Sequence, residues 1–327
     1  MCRWSKIVES FPLAVGQIFQ QYTKIPANLS GILYHYTTHE GMKGILRSGG
    51  FRATYRMRMN DPGEFEYARN LIFETLNQIG SRQDLSPVVQ SLTAYTHKNL
   101  EKFLKDSSEM GRAYCVCLSV ASDHPKQWET YAERGKGFAL GINLFNFLYN
   151  QRHSVVGGKQ FVFCAPVIYK KDDQRNLVLR LLEAGFHDMR VFSDKFPQRP
   201  EDLTALRNRV TQEIVVQLTS LIDFMKAPSF SSEHEFRLIL DPNDGTLMAC
   251  NVQHYKSGEQ IIPFVFIDLR DSDTKRLPLA EIKVGPNASF REEKLFVEDL
   301  LNELCYGVTN RDRPEITQSL ATIGGGL

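Results

Sequence analysis

The stretch ILYHYTTHEGMKGILRSGGFRATYRMRMNDPGEF, residues 32–65, decides the fold. Ile32, Tyr34 and Tyr36 alternate with Leu33, His35 and Thr37, as on a strand with two unlike faces. Thr37 and Glu40 then stand as a capping box, Met42, Ile45 and Leu46 form an apolar stripe, and Gly49 supplies the stop. The spacing predicts strand, short helix and turn. Alternation resumes from 51 to 59, where Phe51, Ala53, Tyr55, Met57 and Met59 oppose Arg52, Thr54, Arg56 and Arg58. That pattern predicts a strand with an arginine ladder along one edge. Asp61 as N-cap, Pro62 at the first helical position and Glu64 at the third open a helix with the stripe Phe65, Ala68, Leu71, Ile72, Leu76 and Ile79.

Outward from this stretch, residues 12–22 predict a docking helix, followed by a linker at 26–30. Downstream, a helix is expected near 87–105, a buried strand over 113–120 and a helical turn or two over 126–133. A further strand at 138–142 is entered through the turn Gly135-Lys136-Gly137. Residues 175–226 read as helical: Leu177, Leu181 and Leu182 make one stripe, and Leu206, Val210, Ile214, Leu218, Leu221 and Met225 a longer one. Pro197 and Pro200 punctuate the loop between them. Strands return at 235–240, 247–252, 262–268 and 281–285 before a weakly patterned tail, ITQSLATIGGGL. The expected organisation is a helical extension and linker over 1–30 and one α+β domain over 31–290 with a helical insertion at about 171–227. A C-terminal helix and tail follow over 291–327.

The chain has 327 residues, 42% hydrophobic and 11% aromatic, enough for a sizeable core and too apolar for a disordered chain. Lys and Arg number 39 against 38 Asp and Glu, so bulk charge gives no reason to expect a nucleic-acid or membrane-surface partner. The six cysteines include no C-x-x-C and no nearby histidine, which favours free thiols in a reducing compartment and no metal. The amino-terminal residues lack a signal-peptide pattern, and the longest apolar run, Ile261 to Leu269, is too short to span a bilayer. The expected compartment is the cytoplasm.

Four constellations could carry chemistry. His35 points away from the Tyr34 and Tyr36 face, toward a cleft or a second core layer. Arg52 and Arg56, beside a helix N-terminus, suit a phosphate or pyrophosphate, although a charged edge that blocks aggregation explains the same letters. Trp128 and Tyr131 share a helical face and offer an aromatic wall for a planar ring, as ordinary core aromatics also would. Glu235 enters a strand from its N-terminal end next to a serine-rich loop, where it is placed either for catalysis or for an ion pair with Arg237.

These segments, in this order, resemble the bacterial domain-of-unknown-function family 2971. The resemblance is carried by YHYT (34–37), NDPGE (60–64), CLS (117–119), WETYA (128–132), KGFALGI (136–142), KAPSFSSEHEFRLI (226–239) and IKVGP (282–286). A weaker resemblance is to the ADP-ribosyltransferases with a His-Tyr-Glu triad, here His35, Tyr131 and Glu235. His35-Tyr36-Thr37 is similar to the His-Gly-Ser/Thr that grips the nicotinamide ribose, and Glu233-His234-Glu235 to the Glu-x-Glu of arginine-directed toxins. Tyr36 stands where that family has glycine, and Trp128 where it has serine.

The second resemblance implies a mixed, split β-sheet core with flanking helices and a protein that binds NAD as substrate. It would break the nicotinamide–ribose bond and transfer ADP-ribose to an unknown acceptor, protein or nucleic acid, as a toxin or defence effector. Glu235 would counter the oxocarbenium-like charge, Tyr131 would stack on nicotinamide and His35 would hold a ribose. Tyr36, Thr37, Trp128 and Glu233 would complete the pocket, and Arg52 and Arg56 would bind the pyrophosphate. The alternatives are a non-catalytic sensor of NAD or ADP-ribose and a nucleic-acid-acting toxin that uses the arginine-rich strand.

Overall fold

The computed structural model describes residues 6–22, 31–58, 63–106, 113–144, 162–198, 202–240, 252–271, 273–307 and 313–323. The expected caps Asp61 and Pro62, most of the 247–252 strand, Met59 and the GGGL terminus lie outside them.

In chain order the first elements are α1 (Lys6–Ser10), α2 (Gly16–Tyr22), β1 (Ile32–Thr37), α3 (His39–Ser48), β2 (Gly50–Tyr55), α4 (Gly63–Gly80) and α5 (Pro87–Asp106). Next come β3 (Tyr114–Ser119), α6 (Pro125–Tyr131), β4 (Phe138–Asn143), β5 (Val162–Pro166), α7 (Lys171–Lys195) and α8 (Asp202–Ile222). The remainder is β6 (Glu235–Leu240), β7 (Gln253–Ser257), β8 (Gln260–Asp268), β9 (Leu279–Val284), α9 (Phe290–Glu303) and β10 (Glu315–Gln318).

The hydrophobic pattern predicts one domain with a helical insertion, whereas the chain divides into two compact units. One is made of Met1–Lys24, Asn60–Arg112 and Ile168–Phe230, the other of Ile25–Met59, Ala113–Val167 and Ser231–Leu327. The difference has a simple cause: the inserted helices α7 and α8 find apolar partners in the earlier helices α4 and α5. The predicted stripes are the buried ones, with Leu206, Val210, Ile214, Leu218, Leu221 and Met225 all withdrawn from solvent. Polar clamps fix the amino-terminal helices in this unit: Asp188 accepts from the amides of Ala14 and Val15 at 2.9 and 3.0 Å, and Gln217 donates to Val15 O at 2.7 Å. Lys226, itself buried, pairs with Glu64 at 2.7 Å and lies over the Phe230 ring, so two motifs far apart in sequence meet here.

The second unit is built on a mixed sheet in the order β10-β9-β4-β1-β3-β2-β8-β7, with β6 on β3 and β5 on β6. Only β10 and β9 among these pairs run parallel. Paired residues on neighbouring strands share a face, so one layer gathers Leu33, Phe51, Val116, Leu118, Leu140, Phe236, Leu238, Val265 and Ile282. Met42 and Leu46 of α3 and Val297, Leu300 and Leu301 of α9 close this layer. Among the described residues, no helix is long and apolar enough to cross a membrane.

The sheet is split along one edge of β3. Its other edge carries β6 without a break, from Tyr114↔Leu240 to Ser119↔Glu235. On the split edge β2 pairs only at Tyr114 and Cys115, and β1 only through Tyr34↔Ser119. The two halves therefore diverge beside Val116, Cys117 and Leu118.

Three local expectations are corrected. Thr38, not Thr37, caps α3, its Oγ1 accepting from Gly41 N at 3.0 Å, while Glu40 pairs with Lys43 instead of reaching back. The strand predicted over 51–59 ends at Tyr55, and Arg56–Arg58 turn as a 3-10 helix, so the three arginines form no ladder. The weakly patterned tail contributes β10, because Ile316 and its neighbours complete the β9 edge.

Candidate active site

The segment Glu233-His234-Glu235 leads into β6 and is held from three sides. Ser119, the last residue of β3, donates its hydroxyl to Glu233 O at 3.0 Å, and Val120 N donates to His234 O at 3.0 Å. From α6, the Gln127 amide donates to Glu233 O at 2.7 Å, and one turn later the Tyr131 hydroxyl reaches Glu233 Oε1 at 3.4 Å. Gln127 and Tyr131 are four apart and so share a helix face. Val167 N donates to Glu235 O at 2.9 Å, which fixes the start of the strand.

The two carboxylates are buried and differ in their partners. Glu235 is gripped by the Arg237 guanidinium through two bonds of 2.8 and 3.0 Å, a fork that favours the ionised carboxylate. Tyr34, Ser119, Glu235 and, two residues on, Cys117 and Arg237 occupy one face by register. The Cys117 thiol is pushed well up by its contact with Cys115 and by burial, which makes it a poor nucleophile. Burial and the nearby Glu281 carboxylate raise Tyr34 to about 12, and its hydroxyl donates to Glu281 at 3.2 Å.

His35 lies elsewhere than expected. Next to Tyr34 on β1, its side chain leaves by the opposite face from Glu235, so the three-way meeting of His35, Tyr131 and Glu235 is not what the strands produce. The imidazole instead fills the split, its Nδ1 3.1 Å from Cys117 O and its ring 4.8 Å from that of Phe51. A carbonyl can only accept, so Nδ1 carries the proton and the Nε2 of the neutral ring carries a lone pair. Burial lowers the pKa of His35, consistent with that neutral ring.

Residues 127–238 match the family described as protein of unknown function (DUF2971). No curated protein and no solved structure matches the chain. The DUF2971 match begins at Gln127 and ends two residues beyond Glu235's neighbour Phe236, so it takes in the α6 face, Glu233, Glu235 and Arg237. It is narrower than the motifs at 32–290 suggest: His35 and Arg52 lie outside it.

Other expected contributors have different employment. Trp128 is fully buried, edge-on to Tyr36 at 4.9 Å, with its Nε1 donating to Asp123 at 2.7 Å; it is core, not an open wall for a ring. Tyr36 is buried too, donating to Ala121 O at 2.8 Å and accepting from His124 N at 3.1 Å. Thr37 ends β1 inside the fold. The Arg52 guanidinium lies 5.3 and 5.2 Å over Tyr255 and Phe264, and Arg56 has left the strand. Ser119 and Gln127 were missed as site residues, although the i, i+4 spacing of Gln127 and Tyr131 was available in the sequence.

Proposed function

We propose that the chain is an ADP-ribosyltransferase-like protein that binds NAD, breaks its nicotinamide–ribose bond and passes ADP-ribose to an acceptor, with Glu235 as the carboxylate. The observation that carries this reading is the rigid Glu233-His234-Glu235 segment, whose backbone is held by Ser119, Gln127 and Val120 and whose first carboxylate meets the Tyr131 hydroxyl. Departure of nicotinamide leaves positive charge on the ribose, and an ionised carboxylate fixed in a buried setting opposes that charge without reorganising.

The buried Glu235–Arg237 pair favours a second reading, in which the chain senses NAD or ADP-ribose without turning it over. A nucleic-acid-acting toxin loses its main support with the arginine ladder. Purified protein incubated with NAD separates the first two: an enzyme releases nicotinamide and melts later with NAD, a sensor melts later without release. No shift in melting and no release would sink both.

A further inference from the structure

His234 stands between the two glutamates and is unlike either. Its φ of 46° is left-handed, a conformation few side chains adopt, and it turns the imidazole out to solvent while Glu233 and Glu235 stay buried. Nδ1 lies 2.9 Å from Ser232 O, so it carries the proton and Nε2 of the neutral ring presents a lone pair. The His124 ring, at the start of α6, is 5.5 Å away. His124 Nδ1 accepts from Lys126 N at 3.2 Å, which puts its own proton on Nε2. One helix thus touches the segment along its length, with His124 at His234 and then Gln127 and Tyr131 at Glu233.

From this arrangement, and resting on the NAD reading above, we propose that His234 is the general base of the transfer and that the acceptor is a neutral O–H group, water or an alcohol hydroxyl. The bond between nicotinamide and ribose C1′ breaks with its electron pair leaving on nicotinamide. The acceptor oxygen forms the new bond to C1′, its proton passes to His234 Nε2, and the imidazolium returns that proton to solvent. A guanidinium acceptor does not suit this base, because it holds its protons far too tightly for imidazole to remove one. His124, from the loop before α6, stands beside the ring, and Glu233 and Glu235 flank His234 in the chain. Burial and the neighbouring His234 lower the pKa of His124.

The test compares nicotinamide release from pH 5 to 9, and the NAD-induced rise in melting temperature, for the parent, His234→Asn and His234→Gly. Asparagine and glycine both accept left-handed backbone and neither is a base. Both variants are expected to lose about 100-fold in turnover and the rise in rate through the imidazole range, while keeping the NAD-induced shift. With methanol added, the parent is expected to form methyl ADP-ribose. Parent turnover that survives in both variants with the same pH rise, or that falls without any change in pH profile, overturns the base and leaves the NAD reading standing. A parent that releases no nicotinamide overturns both.

Discussion

His35 and Arg237 show how a single side chain settles between structure and chemistry. The His35 imidazole spans the split through Cys117 O, and because burial lowers its pKa below the unfolded value, the unfolded chain binds the extra proton first. Stability from this site is therefore intact above about pH 6.5 and falls as the solution is made more acidic. Denaturant unfolding should show that fall between pH 7 and 5, and His35→Gln, which can still donate to the carbonyl, should flatten it; an unchanged slope would remove His35 as its source. Arg237 makes the opposite case, a permanent charge under cover. Arg237→Ala leaves Glu235 without its fork and should cost about 3–5 kcal/mol in unfolding free energy, with Arg237→Lys recovering part of it. Loss under 1 kcal/mol would mean the pair is not closed in solution. The sequence already offered this ion pair as one of two explanations for Glu235, and letters alone could not choose because both need a carboxylate at a strand mouth.

At the scale of elements, the turn before β4 and the end of β9 lock together through glycines. Gly285 N donates to Gly137 O and Asn287 N to Gly135 O, both at 2.9 Å, and a Cβ on Gly285 would lie 2.3 Å from Gly135 O. Gly285→Ala should cost roughly 1–3 kcal/mol through that backbone clash, whereas Gly44→Ala, with nothing within 4 Å, should be neutral or stabilising. Equal melting of the two variants would contradict the close approach. The C-terminal segment is fastened similarly: Asp123 accepts from Trp128, from Ser319 Oγ at 2.5 Å and from Leu320 N at 2.8 Å. Partial burial alone would raise this carboxyl, but those bonds bring it below the usual range. Asp123→Ala should destabilise by about 1–3 kcal/mol, since the buried indole N–H loses its acceptor. Helices with long apolar stripes were legible in the sequence because their period is unmistakable over five or six turns. The strand β10 was not, since four residues leave no period to read, and β2 was overextended because alternation continued through Arg56–Arg58 after the backbone had turned.

For the whole molecule, sequence order identified the segments that build the candidate site but not the faces on which they leave the sheet. Tyr131 meets Glu233, with Glu235 two residues on at the start of β6, because α6 follows β3 and β3 pairs with β6 along its full length. His35 does not join them, because register at Tyr34↔Ser119 sends its neighbour to the other side, and no pattern within YHYT encodes a pairing 85 residues away. NAD should raise the melting temperature of the parent in proportion to the logarithm of its concentration above Kd. The most direct measurement is nicotinamide released from NAD by the purified parent and by Glu235→Gln, with circular dichroism confirming that the variant is folded. Release by the parent and its loss by at least about 100-fold in the folded variant, in line with the removal of one electrostatic stabiliser, is the predicted result; equal release from the two would contradict it.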